Sequence, residues 1–176
     1  MKLAKILTSG FILSLFFISS IFAQSSASAN ANVLAQLKKG LAITNLSGDL
    51  DFGNIVLDGT PASPQIDPSA GVVFEVTGHP GKAVTVNFNN VTLNNNAWAA
   101  SNGGTSDNMD FTANLDQTGV NNSYSGAADV TDGESINLVN NGGTGYLYLW
   151  LGGSLNIRAD QAPGDYTGTF TVSVAY

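Results

Sequence analysis

One histidine, thirteen acidic residues, two tryptophans and no cysteine are the raw material for chemistry in this chain. His79 stands in the run Gly78-His79-Pro80-Gly81-Lys82, among turn-forming residues. As a general base it would need a nucleophile and an orienting acid within reach. The chain has no Gly-x-Ser-x-Gly elbow, and without cysteine it has no thiol nucleophile. One histidine and no cysteine also fall short of the ligand set of a zinc site. His79 therefore reads as a turn residue. Asp129, Asp132 and Glu134, and separately Asp107 with Asp110, could offer oxygens to calcium. Their spacing does not match the twelve-residue loop with glycine at its sixth position and glutamate at its twelfth. Such loop carboxylates are normally only hydrated. Tyr146, Tyr148 and Trp150 alternate within an apolar run and read as core. Trp98, set among asparagines, is the better candidate for a sugar-stacking contact. No glycine-rich phosphate loop of the Walker or Rossmann type occurs. These residues point away from an enzyme, and they ask for no cofactor or metal.

Charge and the N-terminus narrow location and partners. Lys2 and Lys5 precede an apolar stretch from Phe11 to Phe22, and Ala23 supplies a small residue before Gln24. Residues 1–23 thus read as a secretory signal peptide, too short for a spanning helix. A short anchor left in place is the alternative, and a lipoprotein is excluded because no cysteine can be acylated. Cleavage would leave residues 24–176, or 153 residues, enough for one domain with a core. Four basic residues would then face thirteen acidic ones, a net charge of −9. Such a surface disfavours nucleic acid and anionic membranes. No membrane span is expected after signal removal. The expected location is exported: periplasm, cell surface or extracellular. With no disulfide available, strand packing alone must hold the domain.

The elements that would position these residues are strands. The last stretch places Tyr166, Phe170, Val172, Val174 and Tyr176 on one face, with Gly168 as a gap, and small or hydroxylated residues on the other. Its eleven residues would span about 36 Å as one strand. Further strands are expected in LAITNLS, DLDFGNIVL, GVVFEVTG, AVTVNFNN, MDFTANLD, SINLV and YLYLWL. The HPGK link reads as the turn of a hairpin, and Gly152-Gly153 as a second hairpin turn into SLNIRA. Asn89 to Asn108 reads as loop. Residues 24–40 form a low-complexity extension or a first strand, because Ala27, Ala29, Ala31, Val33, Ala35 and Leu37 sit two apart. Residues 41–176 are expected to form a single all-β domain, an immunoglobulin-like β-sandwich of about eight or nine antiparallel strands.

LDFGNIVLDG near the start and LGGSLNIRADQAPGDYTGTFTVSVAY at the end, with the signal peptide, resemble an exported bacterial family labelled domain of unknown function 4402. Phe52-Gly53, Gly152-Gly153 and Gly164-x-Tyr166-x-Gly168 carry the resemblance, which spans nearly the whole chain after residue 24. It implies an exported β-sandwich with no assigned activity. More distantly, the ending is similar to subunits of chaperone–usher pili and spore-coat U-like proteins. Those end on an alternating strand with a terminal tyrosine, and pilins lend an N-terminal extension to a neighbour's sheet. Tyr176 and the alternation from Ala27 to Leu37 match that pattern. The absent cysteine pair and the small alanines depart from it, since a methyl buries far less apolar area than leucine. The expected function is a secreted, non-enzymatic structural or adhesive surface protein, a pilin-like subunit pairing strands with itself or a related subunit. Ala27 to Leu37 would be the donor, and the acceptor edge would lie beside Phe170, Val172, Val174 and Tyr176. The alternative is a carbohydrate- or matrix-binding β-sandwich module whose glycan contact is Trp98.

Overall fold

Alternating apolar side chains commit each long strand of this chain to one buried face. The two sheets that result differ greatly in length. The computed structural model describes residues 32, 34, 35 and 37–176. The chain divides into two units, Met1–Ala35 and Gln36–Tyr176, and the second carries the fold. Its elements are β1 (Ala42–Asn45), β2 (Gln65–Ile66), a 3-10 turn (Pro68–Ala70), β3 (Val72–Gly78), β4 (Ala83–Phe88) and β5 (Val91–Asn94). Then come α1 (Asn96–Asn102), β6 (Asn108–Gln117), β7 (Ala128–Val130), β8 (Glu134–Asn137), β9 (Val139–Asn141), β10 (Thr144–Asn156) and β11 (Val172–Ala175). The large sheet runs β1-β3-β10-β6-β5, with β2, β7 and β9 attached beside this path, and the small sheet runs β11-β4-β8. All pairings are antiparallel. The fold is a β-sandwich, with eleven strands among the described residues rather than eight or nine, because several are only two to four residues long.

β10 is the spine. It pairs with β3 through Leu147↔Val76 and with β6 through Leu151↔Leu115, so it is covered along both edges. Leu147, Leu149 and Leu151 point into the core and are almost fully buried. Each such leucine stabilises the fold by about 1.5–3 kcal/mol. On the opposite face Tyr148 donates to Glu75 at 2.6 Å, and Trp150 Nε1 donates to Thr118 Oγ1 at 2.9 Å. The Tyr148 hydroxyl is pushed up to about 12, first by that bond to Glu75 and then by burial. Tyr124 bonds Asp116 and sets its ring edge-on to Trp150, 5.5 Å between centroids. The aromatic face expected to be core is therefore roofed by the loop between β6 and β7.

Five expectations about the elements need correcting. β3 and β4 do not pair as a hairpin: the HPGK link carries the chain from the large sheet to the small one, where β4 pairs with β8 and β11. Val76, Val84 and Val86 are all fully buried, meeting across the core rather than side by side. Alternation specifies a face, and two strands with inward faces fit opposite sheets as well as one. Gly152-Gly153 is not a turn; it lies inside β10, which continues to Asn156. DLDFGNIVL forms no strand at all. Only Val172–Ala175 of the long last stretch joins a sheet, although Thr167 bridges to Asn94. Part of the expected Asn89–Asn108 loop is β5 and the short helix α1, closed by Gly103 at φ 69°.

A candidate strand-acceptor cleft

The mismatch in strand length creates the site. β10 has thirteen residues and β4 has six, or about 43 Å of spine against about 20 Å of cover. The small sheet meets the end of β10 near Leu147: an added Cβ at Gly145 would touch Leu138, and one at Gly78 would touch Leu138 and Tyr176. Beyond it, Leu151 and Leu155 of β10 and Ile157 just after it, with Met109 and Phe111 of β6, form a buried floor that no residue of β4 or β8 lines. Two stretches outside any strand border this floor, around a cleft of about 1130 Å³.

The first is Leu50–Leu57. Leu50 and Phe52 pack on the core, Phe52 edge-on to Phe111 at 6.0 Å. Ile55, Val56 and Leu57 are 36%, 88% and 41% exposed. Among the described residues, no backbone–backbone hydrogen bond involves any of Leu50 to Leu57. A stretch with a strand's apolar content thus borders the cleft without a ladder partner among the described residues. Gly53, at φ 65°, gives the stretch the bend its sequence suggested.

The second is the return from β10 to β11, residues 158–171. It is fastened by Asp107. Arg158 donates to Oδ1 at 2.6 Å, while Gln161 Nε2 and the Ala162 N–H donate to Oδ2 at 2.8 and 3.0 Å. Asp107, first because of the Ala162 N–H and then because of Arg158 and the Asn108 N–H, titrates at about 2 rather than 3.8. A carboxylate with a lowered folded pKa contributes stability above its unfolded pKa, and that contribution is lost as the pH falls through the folded value. Urea unfolding of the wild type should therefore weaken between pH 4 and pH 2. Asp107→Asn should be less stable at pH 7 and flatter across that window; parallel curves for the two proteins would reject the assignment.

The expected site residues fall in two groups. Phe170, Val172 and Val174 are half-buried against the core, with the Phe170 ring 6.5 Å from Phe74 and 6.1 Å from Phe88. Phe170 lines the cleft, whereas Val172 and Val174 lie in the small sheet beyond it. Tyr176 is 43% exposed; its hydroxyl accepts from the His79 N–H at 2.6 Å and donates to the Lys39 carbonyl at 3.0 Å. The root of the N-terminal extension is thus clamped at the Gly78 end of β3, while the cleft begins at Phe74 and runs the other way. Ala35 and Leu37 are exposed, and Ala27, Ala29, Ala31 and Val33 lie outside the described residues. Trp98 is half-buried, with its ring beside Gly104 and Gly164, where an added Cβ would fall 2.5 and 2.8 Å from it. Asp132 accepts from the Phe88 N–H and Glu134 from the Thr131 N–H, both at 2.8 Å. His79 holds a turn, its Nδ1 facing the Lys39 N–H at 3.4 Å.

Sequence reasoning missed Gln161 and the partnerless state of Leu50–Leu57. Nothing in the spacing of a lone glutamine marks it, whereas a strand-like run between glycines was visible and only its lack of a partner was not. No helix among the described residues is long and apolar enough to cross a membrane. No curated protein and no solved structure matches the chain. The family model described as Domain of unknown function (DUF4402) matches residues 41–176, and the chain belongs to that family.

Proposed function

We propose that this is an exported, non-enzymatic structural subunit of a surface assembly, and that it assembles by accepting a β-strand from a second copy. The observation that carries this reading is Leu50–Leu57, a largely apolar stretch with no backbone ladder among the described residues, lying along a cleft of mixed polar and apolar lining. A strand entering the cleft beside this stretch would give its N–H and C=O groups ladder partners. The donor is the alternating extension from Ala27 to Leu37. Its root at Lys39 is clamped by Tyr176 at the end of the domain away from the cleft, which favours donation to a neighbour. Such head-to-tail contacts are heterologous and produce open chains rather than closed dimers. Trp98, half-buried against two glycines, does not favour the glycan-binding alternative.

Light scattering coupled to size exclusion tests the proposal on residues 24–176 and on the same protein lacking residues 24–37. Concentration-dependent oligomers are expected from the first and a folded monomer from the second. Stable, folded monomers from both would overturn it.

A further inference from the structure

Beyond residue 23 the chain has four basic residues, Lys38, Lys39, Lys82 and Arg158. Arg158 is held by Asp107 at 2.6 Å and by Asp160 at 3.4 Å. The three lysines share the end of the domain away from the cleft. Lys38 Nζ stands 5.1 Å from the centre of the Tyr176 ring, and Lys39 Nζ donates to Thr144 Oγ1 at 2.9 Å. Lys82 lies in the turn after β3, its N–H donating to the His79 carbonyl at 3.2 Å. The segments that build this end, residues 37–44, 76–84, 138–146 and 172–176, contain no acidic side chain. The cleft is bordered by the opposite charge. Asp49 and Asp51 on the partnerless side and Asp165 on the return from β10 are exposed and line it. Among the described residues, none of these three carboxylates and none of the three lysines makes a salt bridge.

We propose that the lysine pole of one copy docks on the acidic rim of the cleft of the next. The inference rests on the strand-acceptor reading above and adds the contact between domains that accompanies the strand. Residues 24–176 carry a net charge of −9, so two copies repel in most orientations, and the lysine pole is the face at which that repulsion turns to attraction. Lys38 and Lys39 directly follow Leu37, the last apolar position of the donor. At about 3.3 Å per residue they stand within about 7 Å of the point where the strand leaves the cleft. Lys82 is brought to the same place because the Tyr176 hydroxyl joins the Lys39 carbonyl to the His79 N–H. Exposed ion pairs contribute little each, but together they choose orientation: rim against rim repels, and pole against rim does not. The contact is therefore head to tail, as an open chain of subunits requires.

The test measures assembly of residues 24–176 by light scattering, beside binding of a capped peptide of residues 24–37 to the chain lacking that segment. The peptide carries no charged side chain. Lys38→Glu, Lys39→Glu and Lys82→Glu together should weaken assembly about tenfold while leaving peptide binding unchanged. Adding Asp49→Lys, Asp51→Lys and Asp165→Lys to that protein should restore assembly. If the combined variant fails to fold, Lys38→Gln with Lys39→Gln, at two exposed positions, decides by whether assembly weakens. Assembly indifferent to the lysines, or lost with them and not restored by the reversed rim, would overturn the docking, while peptide binding would keep strand acceptance standing. No peptide binding and no assembly of the unmutated chain would overturn both readings.

Discussion

Leucine in place of Ala29 should tighten assembly about fiftyfold. Under the strand-acceptor proposal, Ala29 would stand at the middle of the alternating face that enters the cleft of a second copy. Leucine adds three carbons, and each buried methylene contributes about 0.8 kcal/mol, so the gain is about 2.4 kcal/mol. The cleft, at about 1130 Å³, has room for the larger side chain, which keeps the cost of overpacking small. The control is Ser28→Leu, which adds comparable apolar area on the opposite face of the same strand. Affinity of the residue 24–37 peptides for the chain lacking that segment is the measurement. A gain at position 29 alone supports a strand seated by alternation. Equal gains at 28 and 29 would mean general stickiness, and no gain at 29 would mean the alanines do not enter the cleft. The small alanines then acquire a physical meaning, because a donor that fills its groove poorly leaves easily. This family member would assemble reversibly where a leucine-rich donor would lock.

The faces of the strands were legible from the sequence; their partners were not. Val72 to Val76, Val84 to Phe88 and Met109 to Leu115 each alternate, and each became a strand with its apolar set inward. Alternation carries no information on which sheet a strand joins, so the short link at His79 read as a hairpin when it is a crossing. The last stretch was misjudged in the opposite sense. Tyr166 and Phe170 do face inward, as their phase required, but they pack on the core from a connection rather than a sheet. Asp107 bonds to residues more than fifty positions later, and no local signal announces such a fastening.

The cleft was illegible for a deeper reason. It arises from the difference between the length of β10 and that of the strands opposite it, and no single segment encodes a difference. The sequence showed Leu50–Leu57 as a strand because its composition suits one, and under the strand-acceptor proposal its ladder would be completed by a second copy. Local preference and the isolated fold disagree at this stretch. Such disagreements concentrate where a protein meets something else.

Asparagine at Gly152 should lower stability by about 3 kcal/mol, and the sign of this effect separates two readings of Gly152-Gly153. Were the pair a two-residue hairpin turn, Asn-Gly would be a favoured replacement and the change would be neutral or stabilising. The structure instead runs β10 straight through, with the 3-10 turn Pro68–Ala70 lying against it. A Cβ at Gly152 would stand 2.3 Å from the Ile66 carbonyl oxygen and 2.5 Å from the Pro68 nitrogen. These are backbone atoms and cannot swing aside, so β2 and the turn must lift from the spine. Gly71 makes the same contact from the other side, where a Cβ would lie 1.8 Å from the Leu151 carbonyl oxygen. Opening this contact breaks the short ladder at Gly153↔Ile66 and Ser154↔Gln65. Overpacking against fixed atoms typically costs about 1–3 kcal/mol, and the lost pairing adds to it. For a domain of this size the melting temperature should fall by about 10 °C. A melting temperature unchanged or raised in Gly152→Asn would show that the chain turns at this point and that β10 ends before it. A large drop places the glycines where close approach of two backbones, rather than a reversal of the chain, demands them.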